Sequence, residues 1–129
     1  MELENIRINY KNLVELLYQY DFYDNNINFL NNYLVQDEDD IKVFNKIIEN
    51  IDDINEIIED NLFNYSLYRL NMVDRAIIRL AVFLIRFSQI PNPIIINNAI
   101  ILTKDLSDLD DEKQHKFTNR LLDNISKGE

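Results

Sequence analysis

The stretch Asn71 to Pro91, NMVDRAIIRLAVFLIRFSQIP, decides the fold. Asn71 is a candidate N-cap, Asp74 follows three residues on, and the run stops before Pro91, which together delimit one helix. Val73, Ile77, Leu80, Ala81 and Leu84 recur at helical spacing and face one way. Arg75, Arg79 and Arg86 fall largely on other sides of the wheel. The spacing therefore predicts a central helix whose arginines still reach water or a partner.

The same periodicity extends in both directions. Upstream, Ile6, Tyr10, Leu13, Leu17 and Tyr20 form one stripe, and Ile41, Phe44, Ile48, Ile51, Ile54 and Ile58 form a longer one interspersed with acids, read as a single long helix. A shorter helix is expected around Ile27 to Leu34. Downstream, PNPIIINNAIILTKDLS opens a helix at Asn92 or Pro93, where proline is tolerated. The polar turn DLDDEKQ offers Asp110 or Asp111 as N-cap of a last helix that buries Phe117 or Leu121, Leu122 and Ile125. One glycine and two prolines leave few turn devices for a many-stranded protein, so the chain reads as all-α with six or seven helices. Its 129 residues, 47% of them hydrophobic, suit one domain, and neither an internal repeat nor a dividing linker is visible.

Composition narrows the chemistry. With no cysteine, disulfides and thiolate metal sites are excluded, and a cytoplasmic address is expected. The N-terminus lacks a signal-like apolar run, and no run approaches the roughly 18 to 20 apolar residues of a membrane helix. The acidic runs QDEDD at 36 to 40 and DLSDLDDE at 105 to 112 lack the glycine and distal glutamate of a calcium loop. The first is read instead as a solvated turn capping a helix. Glu112 and His115 have the spacing of a di-metal bundle ligand pair, but the chain holds no second histidine to complete such a site. With neither a cysteine nucleophile nor a glycine-rich phosphate loop, the chain is expected to act by binding, with no cofactor and no catalytic or metal-ligating residues.

The net charge of −10 argues against a nucleic-acid partner, but the charge is unevenly spread. Residues 1–60 hold four bases against 15 acids, a balance of −11, whereas residues 61–129 hold nine bases against eight acids, a balance of +1. Within the second half, KQHKFTNR at 113 to 120 gathers Lys113, Lys116 and Arg120 around Phe117. An aromatic ring in basic surroundings suits stacking on an unpaired base. On this reading Phe117 points outward, and Leu121, Leu122 and Ile125 fill the seam without it.

Three segments in order, MVDRAIIRLAVF at 72 to 83, IPNPIIINNAIILTK at 90 to 104 and HKFTNRLLDNI at 115 to 125, resemble the NusB family of transcription antitermination factors. LVELLYQ at 13 to 19 is similar to that family's first helix. The resemblance implies two packed helical sub-bundles, binding to boxA-like single-stranded RNA of ribosomal operons, and action with the transcription elongation complex. It also implies a protein partner, the small-subunit ribosomal protein called NusE. Carried over by position, the RNA surface falls on Arg7, Tyr18, Lys116 and Phe117, to which the local basic cluster adds Lys113 and Arg120, and the partner surface on Asp74. Asp74 also has a purely local reading, as a first-turn acid favourable to the helix dipole. This chain departs from the family pattern in its base-poor N-terminus, in Asn98 and Ile101 where acids are usual, and in Arg120 where glycine is usual. An alternative is therefore a protein-only scaffold of the same fold without useful RNA affinity. Charge separates the two: an RNA binder presents Arg7, Lys113, Lys116 and Arg120 on one surface, and a scaffold disperses them or masks them with acids.

Overall fold

The computed structural model describes residues 6–32, 37–63, 66–107 and 112–128. Among them are six α-helices, two short 3-10 turns and no strand. The helices are α1 (Tyr10–Phe22), α2 (Glu38–Glu49), α3 (Ile51–Asp60), α4 (Met72–Phe87), α5 (Asn92–Leu106) and α6 (Lys113–Gly128). The 3-10 turns span Ile27–Asn32 and Leu67–Arg69.

Helix α4 starts where its cap chemistry dictates. The Asn71 side chain accepts from the Asp74 amide at 2.9 Å, which satisfies one of the amides left open by the first turn, and donates to the Asp74 carboxylate at 2.7 Å. Every residue from Asp74 to Ile85 is buried. A helix apolar on most of its circumference must be covered on all sides. Helices α1 and α3 cover it from the N-terminal half, and α5 and α6 from the C-terminal half, which makes two sub-bundles sharing α4.

That burial corrects the expectation for the arginines. Only Arg86 reaches the surface, where it pairs with Asp53 of α3 at 3.2 Å. Arg75 and Arg79 are inside, paired with one carboxylate: Asp21 accepts from Arg75 Nε at 2.8 Å and from Arg79 Nη1 at 2.9 Å. Three further guanidinium protons find Asn55 at 3.0 Å and, at 3.4 Å, the Leu70 carbonyl and the Tyr68 hydroxyl. The Tyr68 ring lies 4.8 Å from Arg75 Cζ and lends its π-face to the buried charge.

Two further expectations need revision. The stripe from Ile41 to Ile58 is two helices, because Asn50 donates its side chain to the Lys46 carbonyl at 2.8 Å and ends α2 while the apolar phase continues into α3. The segment from Ile27 forms a 3-10 turn through Asn32; Tyr33 and Leu34 lie outside the described residues. It follows Asp24 and Asn25, which adopt left-handed φ values of 56° and 62° that these residue types tolerate and so reverse the chain after α1. Asp37 caps α2 by accepting from the Asp39 and Asp40 amides, the role expected of the acidic run. Pro93 sits at the second position of α5, where a missing N–H costs nothing. Asp110 and Asp111, expected to cap α6, lie outside the described residues; the helix buries Thr118, Leu121, Leu122 and Ile125.

Removing Asp21 leaves two buried guanidinium groups without their counter-charge. Asp21→Ala is expected to destabilise the fold by about 3–5 kcal/mol, read from the urea midpoint. A loss below about 1 kcal/mol, the range of exposed ion pairs, contradicts this account.

Candidate nucleic-acid interface

The geometry of α6 follows from its periodicity. With Leu121, Leu122 and Ile125 turned into the core, Lys113, Lys116 and Arg120 emerge together on the opposite side as a cationic ridge. Lys116 pairs with Glu112 one turn back at 3.4 Å, but both side chains are largely exposed, so the pair is weak and screened by salt. Arg120 forms no ion pair among the described residues.

One flank of the ridge opens into a groove of about 530 Å³ between α6 and the segment leading into α4. Arg69, Leu70, Asn71, Asp74, Lys113 and Phe117 line it. Phe117 answers the outward expectation only in part: its ring is half-buried, packed against the core on one side and lining the groove on the other. The reason is its place on the helix, one turn before Leu121 and one turn after Lys113, where the core seam meets the cationic ridge. The groove thus combines an aromatic surface with two cations, Arg69 and Lys113, carried on different elements. Asp74 forms part of its wall and is 1% exposed, held by the reciprocal bonds to Asn71. Arg69 was not singled out by the sequence, because it stands alone in a short turn without periodicity, and only the fold brings it into one groove with Lys113.

Arg7 and Tyr18 lie elsewhere. Arg7 is exposed in a separate groove of about 600 Å³, where it and Lys11 meet Asp37, Asp39, Asp40 and Asp105. Four carboxylates against two cations make that groove unfavourable for phosphate. The same groove is lined by Tyr10, whose phenol burial pushes its pKa up while a hydrogen bond with Asn98 opposes the rise. Tyr18 is half-buried on α1 and stacks on Phe22 with ring centres 6.4 Å apart. Of the four cations expected to share a surface, three do so on α6, and Arg7 stands among acids.

Among the described residues, no helix is long and apolar enough to cross a membrane, and no group of three or more acidic or histidine side chains is arranged to hold a metal ion.

Residues 11–127 match the NusB family. The chain is 43% identical to the transcription antitermination protein NusB of Treponema denticola over 105 residues, which covers 73% of this chain and 75% of that one. It is 40% identical to NusB of Clostridium botulinum, covering 78% and 77% of the two chains. Among solved structures, NusB of T. maritima superposes with a TM-score of 0.75 at 28% identity, covering 92% of this chain and 87% of that one. A chain from a crystal structure described as a plectonemic RNA supercoil superposes with a TM-score of 0.72 at 26% identity, covering 94% and 96%. The family match along almost the whole chain, carried by the same helices that build the ridge and its groove, means that this chain belongs to the NusB family.

Proposed function

We propose that this protein is a cytoplasmic RNA-binding adaptor in transcription antitermination, which holds boxA-like single-stranded RNA of ribosomal operons together with NusE in the elongation complex and carries out no chemistry of its own. The observation that carries this reading is the half-buried Phe117 ring, which shares one groove with Arg69 and Lys113 and adjoins the cationic ridge of Lys116 and Arg120. A ring of that kind accepts an unpaired base, and cations in the same groove accept the flanking phosphates. The family membership and the RNA-containing structural neighbour support it. The second reading, a protein-only scaffold, draws on Arg7 lying among four aspartates. The N-terminal RNA contact is the weak point of the interface, so NusE is needed for tight binding.

The titration of boxA-like RNA at two salt concentrations, with and without NusE, tests this. Weak binding by the protein alone and tighter binding with NusE are expected; no binding under either condition leaves the scaffold reading. Arg69→Gln should lower the salt slope by about 0.7, the increment for one contact on a single strand, and an unchanged slope removes Arg69 from the phosphate path.

Because Phe117 is shared between core and groove, Phe117→Ala is expected to lower stability by less than the roughly 3–5 kcal/mol of a fully buried aromatic. The folded fraction should also lose about 1–3 kcal/mol of RNA affinity. A melting-temperature scan paired with RNA titration reads both, and unchanged affinity in the folded fraction ends the stacking role.

Asp74→Asn keeps the size of the side chain and removes its charge. It should weaken NusE binding by more than the roughly 0.3–1 kcal/mol that a helix-dipole charge contributes locally. Unchanged partner affinity by calorimetry reduces Asp74 to its capping role.

A further inference from the structure

The other flank of the α6 ridge holds a second groove, of about 360 Å³, between α5 and α6. Ile96 and Ile100 line it together with the amides of Asn92, Asn97 and Asn119 and the carboxylate of Asp123. These amides are unlike several others in the chain. Asn50, Asn61 and Asn98 each turn back and donate to the carbonyl four residues earlier, at 2.8 to 2.9 Å. Asn92, Asn97 and Asn119 form no hydrogen bond of their side chains among the described residues. Three amides with open donors and acceptors thus converge from two helices on one cleft that also has apolar surface. Asp123 is exposed and turned toward Lys127 at 2.9 Å, a contact that leaves acceptor capacity on the carboxylate.

The groove's place relative to the cations gives it a ligand. Asn119 adjoins Arg120 in sequence and lies one turn from Lys116, and Asp123 is one turn beyond Arg120, so the cationic ridge runs between this groove and the Phe117 groove. A strand whose phosphates follow Lys113, Lys116 and Arg120 has one groove on either side of its backbone. An amide offers a coplanar donor and acceptor that match the edge of a nucleobase, and a carboxylate accepts but cannot donate; adenine, cytosine and guanine each present an exocyclic amine to it, whereas uracil has none and offers only a ring N–H set between two carbonyl oxygens that a carboxylate repels. The size is at the small end of ligand clefts, suited to one base.

We infer that the α5–α6 groove is a base-reading subsite that takes one unpaired amine-bearing base, adenine, cytosine or guanine, in preference to uracil, from the RNA strand crossing α6. This inference rests on the RNA-binding function proposed above. It assigns sequence discrimination to Asn97, Asn119 and Asp123, and affinity to the cations and Phe117.

The test is binding of short single-stranded RNAs, varied one position at a time, to the full chain at low salt. The native protein should prefer an amine-bearing base, adenine, cytosine or guanine, over uracil at one position by about fivefold or more. The variant carrying Asn97→Ala and Asn119→Ala should lose that preference and keep the native salt slope. Both side chains are exposed, so its unfolding midpoint should match the native one. Arg120→Gln is the contrasting control: it should lower the salt slope by about 0.7 and leave the preference intact. If the native protein binds the RNAs without preference, or the double variant keeps the preference, the base-reading role is overturned while RNA binding stands. A fall in the double variant's salt slope overturns it as well, since the amides then act through the backbone. If the native protein binds none of the RNAs, the proposed function fails and this subsite with it.

Discussion

One carboxylate, Asp21, holds two arginines of α4 inside the protein, and the N-terminal half is organised around that contact. Moving three charges out of water costs several kcal/mol for each ion, and the attraction between them offsets this only when geometry and hydrogen bonding are good. Here both are. Each guanidinium meets a separate oxygen of Asp21 at under 3 Å, and Asn55, Tyr68 and the Leu70 carbonyl take further protons. The network spans the end of α1, the middle of α3, the turn Leu67–Arg69 and the first two turns of α4. An apolar core could slide by a helical turn at modest cost; these paired charges permit one register.

The same network reaches the proposed interface. Tyr68 and Leu70, which bond or shield the two arginines, are the chain neighbours of Arg69. Fixing that turn fixes where Arg69 stands relative to α6, so the groove containing Phe117 has one wall set by buried ion pairs and the other by the α6 core seam.

Electrostatics divides the surface in a matching way. The acids of residues 1–60 outnumber the bases by 11, and Arg7 lies in a groove that four aspartates dominate. The cations of α6 sit on a helix from the near-neutral half. Because exposed charges are screened beyond about 8 Å at physiological ionic strength, local balance matters more than the total of −10.

Much was legible in the sequence alone. Helices α1, α4, α5 and α6, the apolar stripe shared by α2 and α3, the caps at Asp37 and Asn71, the start of α5 and the cationic face of α6 all follow from local rules, because capping, proline geometry and 3.6-residue periodicity act within a few residues. The break at Asn50 was hidden, since the apolar phase runs through it and only the side-chain bond to Lys46 marks the end of α2. What the tertiary structure decided is how distant polar residues pair. Arg75 and Arg79 occupy wheel positions that look solvent-facing, and their burial depends on Asp21, Asn55 and Tyr68 arriving from three other elements. Arg69 joins Lys113 and Phe117, and Asn97 joins Asn119, by the same long-range assembly. Periodicity states which side of a helix is apolar; whether a charge on the other side meets water or a partner carboxylate is settled only when the other helices close around it.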